Sequence, residues 1–116
     1  MSKFSKISFG AEPRTEFKEA MGLSGCEISY NALPAGAAVP FYHAHKQNEE
    51  VYIILQGDGE MELDGQKVAL KANDALRVAP SVMRKMSAKT DLRFLCMQVK
   101  ENSLTQWTQN DGIMGE

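Results

Sequence analysis

The chain holds only two histidines, His43 and His45, with a single residue between them. In an extended segment residues i and i+2 point to the same side, so both imidazoles project together. Glu50 opens the run EVYIILQ, whose β-branched and aromatic content predicts a strand. Alternation along that run sets Glu50, Tyr52 and Ile54 on one side and Val51, Ile53 and Leu55 on the other. If the Tyr52 side faces an interior, Glu50 is a carboxylate in apolar surroundings, which is costly without a counter-charge. A divalent metal shared with the two imidazoles would supply that charge. Two imidazoles and a carboxylate suit non-haem iron, and equally suit zinc with an open position; manganese and nickel are further candidates. H-x-H alone is weak, because surface histidine pairs are common. The competing reading is a partly exposed pair beside a glutamate whose charge reaches solvent.

The elements that must position these groups read as short strands divided by turns. Cys26–Leu33 is the first, ended by Pro34, Gly36 and Pro40, and Glu50–Gln56 is the strongest, closed by Gly57-Asp58-Gly59. Glu60–Leu63 and Gln66–Leu70 flank Asp64-Gly65, a pair suited to a type I′ hairpin turn because both positions tolerate positive φ. Ala75–Ala79, Val82–Ser87 and Leu92–Lys100 follow. So many short strands in so little chain predict a jelly-roll barrel. Arg14–Met21 is expected to form two helical turns stopped by Gly22 and Gly25, leaning on the barrel. Residues 101–116 carry Trp107 but no period, and are expected to lie against the barrel or a partner chain.

The stretch Gly36–Gly57, GAAVPFYHAHKQNEEVYIILQG, resembles the first motif of the cupin superfamily: a glycine, H-x-H, a glutamate, and a closing glycine. Four residues separate His45 from Glu50 and six separate Glu50 from Gly57, so Glu50 rather than Glu49 matches the ligand position. Between Gly36 and His43 lie six residues where the motif has five, which a bulge near Phe41-Tyr42 would absorb. The likeness continues through Asp64-Gly65, Asn73-Asp74 and Val78-Ala79-Pro80, covering roughly residues 27–99. It implies an all-β, double-stranded β-helix (jelly-roll) barrel at about 26–100, between an N-terminal segment at 1–25 and a C-terminal tail at 101–116. The whole would be one domain, frequently homodimeric, with metal and small-molecule ligand in the barrel mouth.

The second motif departs. Where cupins with a full metal site usually carry a histidine, four residues after the proline, this chain has Arg84. A guanidinium stays protonated and has no lone pair for a metal. Parity puts Val82, Arg84 and Met86 on one face, so Arg84 is expected to point inward. A monocation about 5 Å from a divalent metal costs several kcal/mol of raw repulsion at an effective dielectric of about 20. Either Arg84 clamps the carboxylate or phosphate of a ligand beside the metal, or no metal binds and Arg84 pairs with Glu50. Tyr52, Gln47, Met86 and Tyr42 are candidates to line the cavity.

A net charge of −2 gives no electrostatic footprint for nucleic acid or an anionic membrane. The apolar runs are too short to span a bilayer, and Met1–Phe9 lacks an apolar signal core, so a cytoplasmic protein is expected. Cys26 and Cys96 sit in separate strand-like runs and read as reduced, buried thiols. With both histidines committed to a metal, no Ser-His-Asp arrangement is available; Tyr52 or Glu49 would have to carry any proton. A metal-dependent enzyme on a small anionic substrate and a non-catalytic binding or sensor module both fit this sequence.

Overall fold

Alternating apolar residues give each strand one face to bury, and two antiparallel sheets bury those faces against each other. The structure is a computed structural model and describes residues 3–115. Its elements are β1 (Arg14–Glu16), α1 (Phe17–Met21), β2 (Glu27–Leu33), β3 (Asn48–Gln56), β4 (Asp58–Leu63), β5 (Gln66–Lys71), β6 (Ala75–Val78), β7 (Arg84–Ala88), β8 (Leu92–Lys100) and α2 (Thr108–Asp111). One sheet has the order β1-β2-β8-β3-β6 and the other β5-β4-β7. The segment before β3 extends the smaller sheet, with bridges Ala38 to Ser87 and His43 to Arg84. Between them lie the buried Ile54, Met61, Val78, Met86, Leu92 and Phe94.

The expected strands appear within a residue or two of their boundaries, and β8 spans Leu92–Lys100 as read. The Asp64-Gly65 turn has φ of 49° and 85°, positive at both positions as a type I′ hairpin requires. The predicted bulge is present too. Five steps of chain from Ala38 to His43 stand against three from Ser87 to Arg84, so the excess falls at 39–42. Tyr42 is turned outward, and Phe41, though exposed, lines the cavity beside His43.

One expectation is corrected. Arg14–Glu16 is a strand paired with β2, and only Phe17–Met21 is helical, ended by Gly22 at φ 72°. Pairing wins because Thr15 lies opposite the buried Tyr30, while Phe9 stacks on both Phe17 and Tyr30 at 5.1 and 5.2 Å between centroids. Of the two surfaces expected for the tail, the barrel does not cover Leu104, Trp107, Ile113 and Met114, which are all exposed.

Gly57 closes β3 at φ 89°, where a Cβ would stand 2.0 Å from the Asp91 carbonyl oxygen. Gly57→Ala is therefore expected to cost more than about 2 kcal/mol in urea unfolding. Gly65→Ala, at a similar φ but facing open space, should cost about 1 kcal/mol. Equal losses at the two positions would contradict the steric account.

Candidate functional site

Backbone pairing brings the site together. His43 exchanges both hydrogen bonds with Arg84, His43 N to Arg84 O at 3.1 Å and Arg84 N to His43 O at 2.9 Å. The His45 N–H donates to the Pro80 carbonyl at 2.8 Å, which fixes the second imidazole beside the turn into β7. Glu50 lies in β3 between Val78 of β6 and Gln98 of β8, with its side chain inward. His43, His45 and Glu50 thus meet at one end of the barrel, each offering a ligand atom within 4.8 Å of the others. They line a cavity of about 530 Å³ whose floor includes Met61, Met86 and Phe94.

Glu50 is 3% exposed and fully engaged. Its Oε1 accepts from Arg84 Nη1 at 2.8 Å and from the Tyr52 hydroxyl at 2.5 Å. Its Oε2 accepts from the Cys96 thiol at 3.3 Å. His45 Nε2 lies 3.1 Å from Oε2 and His43 Nε2 lies 3.6 Å from Oε1. The first contact is close but misdirected, because His45 Nε2, like His43 Nδ1, is buried without a hydrogen-bond partner among the described residues. An unpaired imidazole nitrogen beside a carboxylate oxygen is what a metal-binding pair presents before an ion arrives. The donor set therefore fits a divalent metal through the two imidazoles and the Glu50 carboxylate.

Burial opposes the charge on Glu50, but the hydrogen bonds from Tyr52 and Cys96 and the charges of His45 and Arg84 outweigh it, holding its carboxyl below the ordinary range. Burial likewise lowers the pKa of His43 and outweighs the pull of Glu50, which leaves the imidazole neutral at pH 7. Burial above all, with the same carboxylate adding to it, raises Tyr52 and pushes the Cys96 thiol up to about 12. Both remain protonated donors to Glu50. Acid is thus expected to destabilise the fold in two stages. The unfolded chain takes up the His43 proton first, so stability starts to fall below about pH 6.5; the Glu50 contribution is lost later, as pH drops through its depressed folded value. Urea midpoints measured from pH 7.5 down to about pH 2 check both stages, and His43→Gln should remove the earlier one. A midpoint that rises on acidification would contradict it.

Arg84 points inward, as parity predicts, and is 1% exposed. It pairs directly with Glu50, the contact named in the second of the two arrangements above. Its remaining donors are largely spent: Nε donates to the Val82 carbonyl, and Nη2 to those of Ala79, Pro80 and Val82, all within 3.0 Å. This arginine braces the turn before β7 and neutralises Glu50; a clamp on a ligand would need donors it has already committed. Tyr52 and Met86 line the cavity as expected. Gln47 does not. The chain bends at Lys46-Gln47, which ends the alternation begun at His43, and Gln47 is exposed with its carbonyl accepting from Glu101 N at 2.9 Å. Tyr42 is likewise outside, under Lys85 Nζ at 5.0 Å.

Sequence reasoning missed Cys96, Gln98, Asn31 and Arg14 as lining residues. Parity along β8 carried the signal for the first two, since Phe94, Cys96 and Gln98 share a face. Arg14 left none, because its position depends on β1 joining the sheet. Both cysteines are free; Cys96 is buried as read, whereas Cys26, just before β2, is only half-buried.

A family model described as a cupin domain matches residues 30–98. A cupin protein from Bacteroides fragilis is 45% identical, with all of both chains covered and a TM-score of 0.94. A predicted oxalate decarboxylase from Thermotoga maritima is 30% identical over 72% of this chain and 73% of its own, with a TM-score of 0.63. Among curated proteins, an uncharacterized protein of Methanocaldococcus jannaschii is 33% identical over 66 residues. The chain spans about half the length of that relative, 52% of it.

Proposed function

The chain belongs to the cupin domain family, and from that premise we propose that it holds a divalent metal through His43, His45 and Glu50 and takes a small organic acid in the barrel mouth. One observation carries the reading: three ligand atoms converge within 4.8 Å at an open cavity, and each histidine keeps a buried nitrogen without a partner. The predicted oxalate decarboxylase among the similar structures supports a small carboxylate as ligand class. A metal bound there would act as a Lewis acid toward an oxygen-bearing ligand.

The chain's own residues prepare the place. Arg84, Tyr52 and Cys96 keep Glu50 ionised and fixed, while Met61, Met86 and Phe94 give the ligand an apolar floor. Neither proton carrier considered from the sequence is suited to the task. Tyr52 is committed to Glu50, and Glu49 is paired with Arg77 at 2.8 Å, away from the cavity. Binding is therefore the core of the proposal, and any catalysis would rest on the metal.

A second reading, a metal-free binding or sensor module, is favoured by one specific contact, the Arg84–Glu50 pair at 2.8 Å. Thermal melts separate the two. A metal at a hundred times its Kd adds about 2.7 kcal/mol to stability, which raises Tm by roughly 10 °C in a domain of this size. Zinc, manganese, nickel and ferrous iron offered against a chelator should include at least one that gives such a rise. No rise with any of them, in protein whose Tm still responds to organic acids, would favour the metal-free reading.

The proposal extends to a cytoplasmic homodimer. Among the described residues no helix is long and apolar enough to cross a membrane. Strands β1, β5 and β6 stand at sheet edges that a second copy would cover. Sedimentation at the mass of a single chain would refute the dimer.

A further inference from the structure

The cavity has one wall that neither the metal site nor the apolar floor uses. Ser29 and Asn31 of β2 and Gln98 of β8 line it, joined at the mouth by Arg14 of β1. Strand pairing places them: Arg14 lies opposite Asn31, and Gln98 lies opposite Glu27, which by alternation shares a side with Ser29 and Asn31, so the four share a face. Arg14 is held rather than loose. Its Nη1 donates to Asn31 Oδ1 at 2.5 Å, and Asn31 Nδ2 in turn donates to Ser29 Oγ at 3.0 Å and to the Ser29 carbonyl at 3.3 Å. Arg14 Nε also reaches Glu16 Oε1 at 3.4 Å. Its Nη2 has no partner among the described residues. The other arginine at the cavity, Arg84, is buried and bound to Glu50 and to three carbonyls.

From this placement we infer that Arg14, positioned by Asn31, reads a second carboxylate on the ligand, making the preferred occupant an aliphatic dicarboxylate. The inference rests on the reading above, in which the first carboxylate meets a metal at His43, His45 and Glu50. The Arg14 guanidinium, 58% exposed and with Nη2 unpartnered among the described residues, keeps a donor and a charge for a carboxylate. A phosphate dianion is less well served, since this wall offers one cation, and Glu16 already offsets part of its charge.

Calorimetric titration of wild type, Arg14→Gln and Asn31→Ala tests this, in metal-free and zinc-loaded protein. Malonate, succinate and glutarate are the probes, against acetate and propionate, with zinc affinity measured in each variant. Arg14→Gln is expected to leave zinc affinity and monocarboxylate binding unchanged while weakening the best dicarboxylate about tenfold to a hundredfold. Asn31→Ala, which keeps the guanidinium but removes its tether, should weaken the same dicarboxylate less and spare the monocarboxylates. Zinc and dicarboxylates that bind equally to wild type and Arg14→Gln would overturn the role of Arg14 alone. Wild type that takes neither zinc nor any dicarboxylate would overturn both the inference and the reading beneath it. Methyl phosphate binding tighter than every dicarboxylate, through Arg14, would overturn the choice of carboxylate.

Discussion

Replacing His43 and His45 together with alanine is expected to abolish metal binding while leaving the fold nearly as stable as before. Structural metal sites in small domains release roughly 10–16 kcal/mol of apparent binding free energy over about four ligands, or roughly 3 kcal/mol or more per ligand. Two imidazoles lost together should therefore weaken affinity by more than about four orders of magnitude. What remains is Glu50, whose charge Arg84 already meets at 2.8 Å, so the remnant has little reason to hold a cation. The fold should tolerate the change. The two side chains are 36% and 25% exposed, and the nitrogens removed include two buried atoms with no hydrogen-bond partner among the described residues. Metal titration and melts of the metal-free proteins check both halves. Retained affinity would place the metal elsewhere; a collapsed fold would make the pair structural.

Arg84→Met should produce the largest loss of stability of any single substitution at the site. The guanidinium is 1% exposed, and removing it leaves Glu50 with an uncompensated buried charge while four donor–acceptor contacts to the Ala79–Val82 turn disappear. Breaking one partner of a buried pair costs about 3–5 kcal/mol. Urea unfolding should show it, and adding Glu50→Gln should recover part of the loss, since the charge that Arg84 neutralises is then gone. Two further consequences distinguish a counter-charge from simple packing. Metal affinity should rise, because a fixed cation about 5 Å away repels a divalent ion by several kcal/mol at an effective dielectric of about 20. Saturating zinc should also restore more stability to Arg84→Met than it adds to wild type, having taken over as partner of Glu50. A variant that unfolds easily but responds to zinc no more than wild type would make Arg84 a brace for the turn and nothing else.

Much of the site was legible because strand parity is a strict rule. Once Glu50–Gln56 reads as a strand with Tyr52 and Ile54 inward, Glu50 is inward as well, and the same count from Pro80 turns Arg84 inward. The extra residue before His43 foretold the bulge that turns Tyr42 away from the cavity. What parity could not supply was the partner of each inward charge. Two inward groups of opposite sign allow a direct pair or a bridged one, and only the 2.8 Å contact chooses between them. Parity also fails where the chain bends, which is why Gln47 leaves the face that His43 and His45 share. Residues 14–16 looked helical because their local pattern is helical; an edge of β2 with Tyr30 to cover decided otherwise. That long-range pairing is what carries Arg14 to the cavity mouth.

The most direct test is elemental analysis of protein purified without a histidine tag and then offered iron, manganese, nickel and zinc in turn. Close to one equivalent of a divalent metal per chain is expected, lost when His43 and His45 are replaced. Protein that stays empty with every metal, while folded and with Arg84 intact, would contradict it and leave a cavity whose buried glutamate is served by arginine alone.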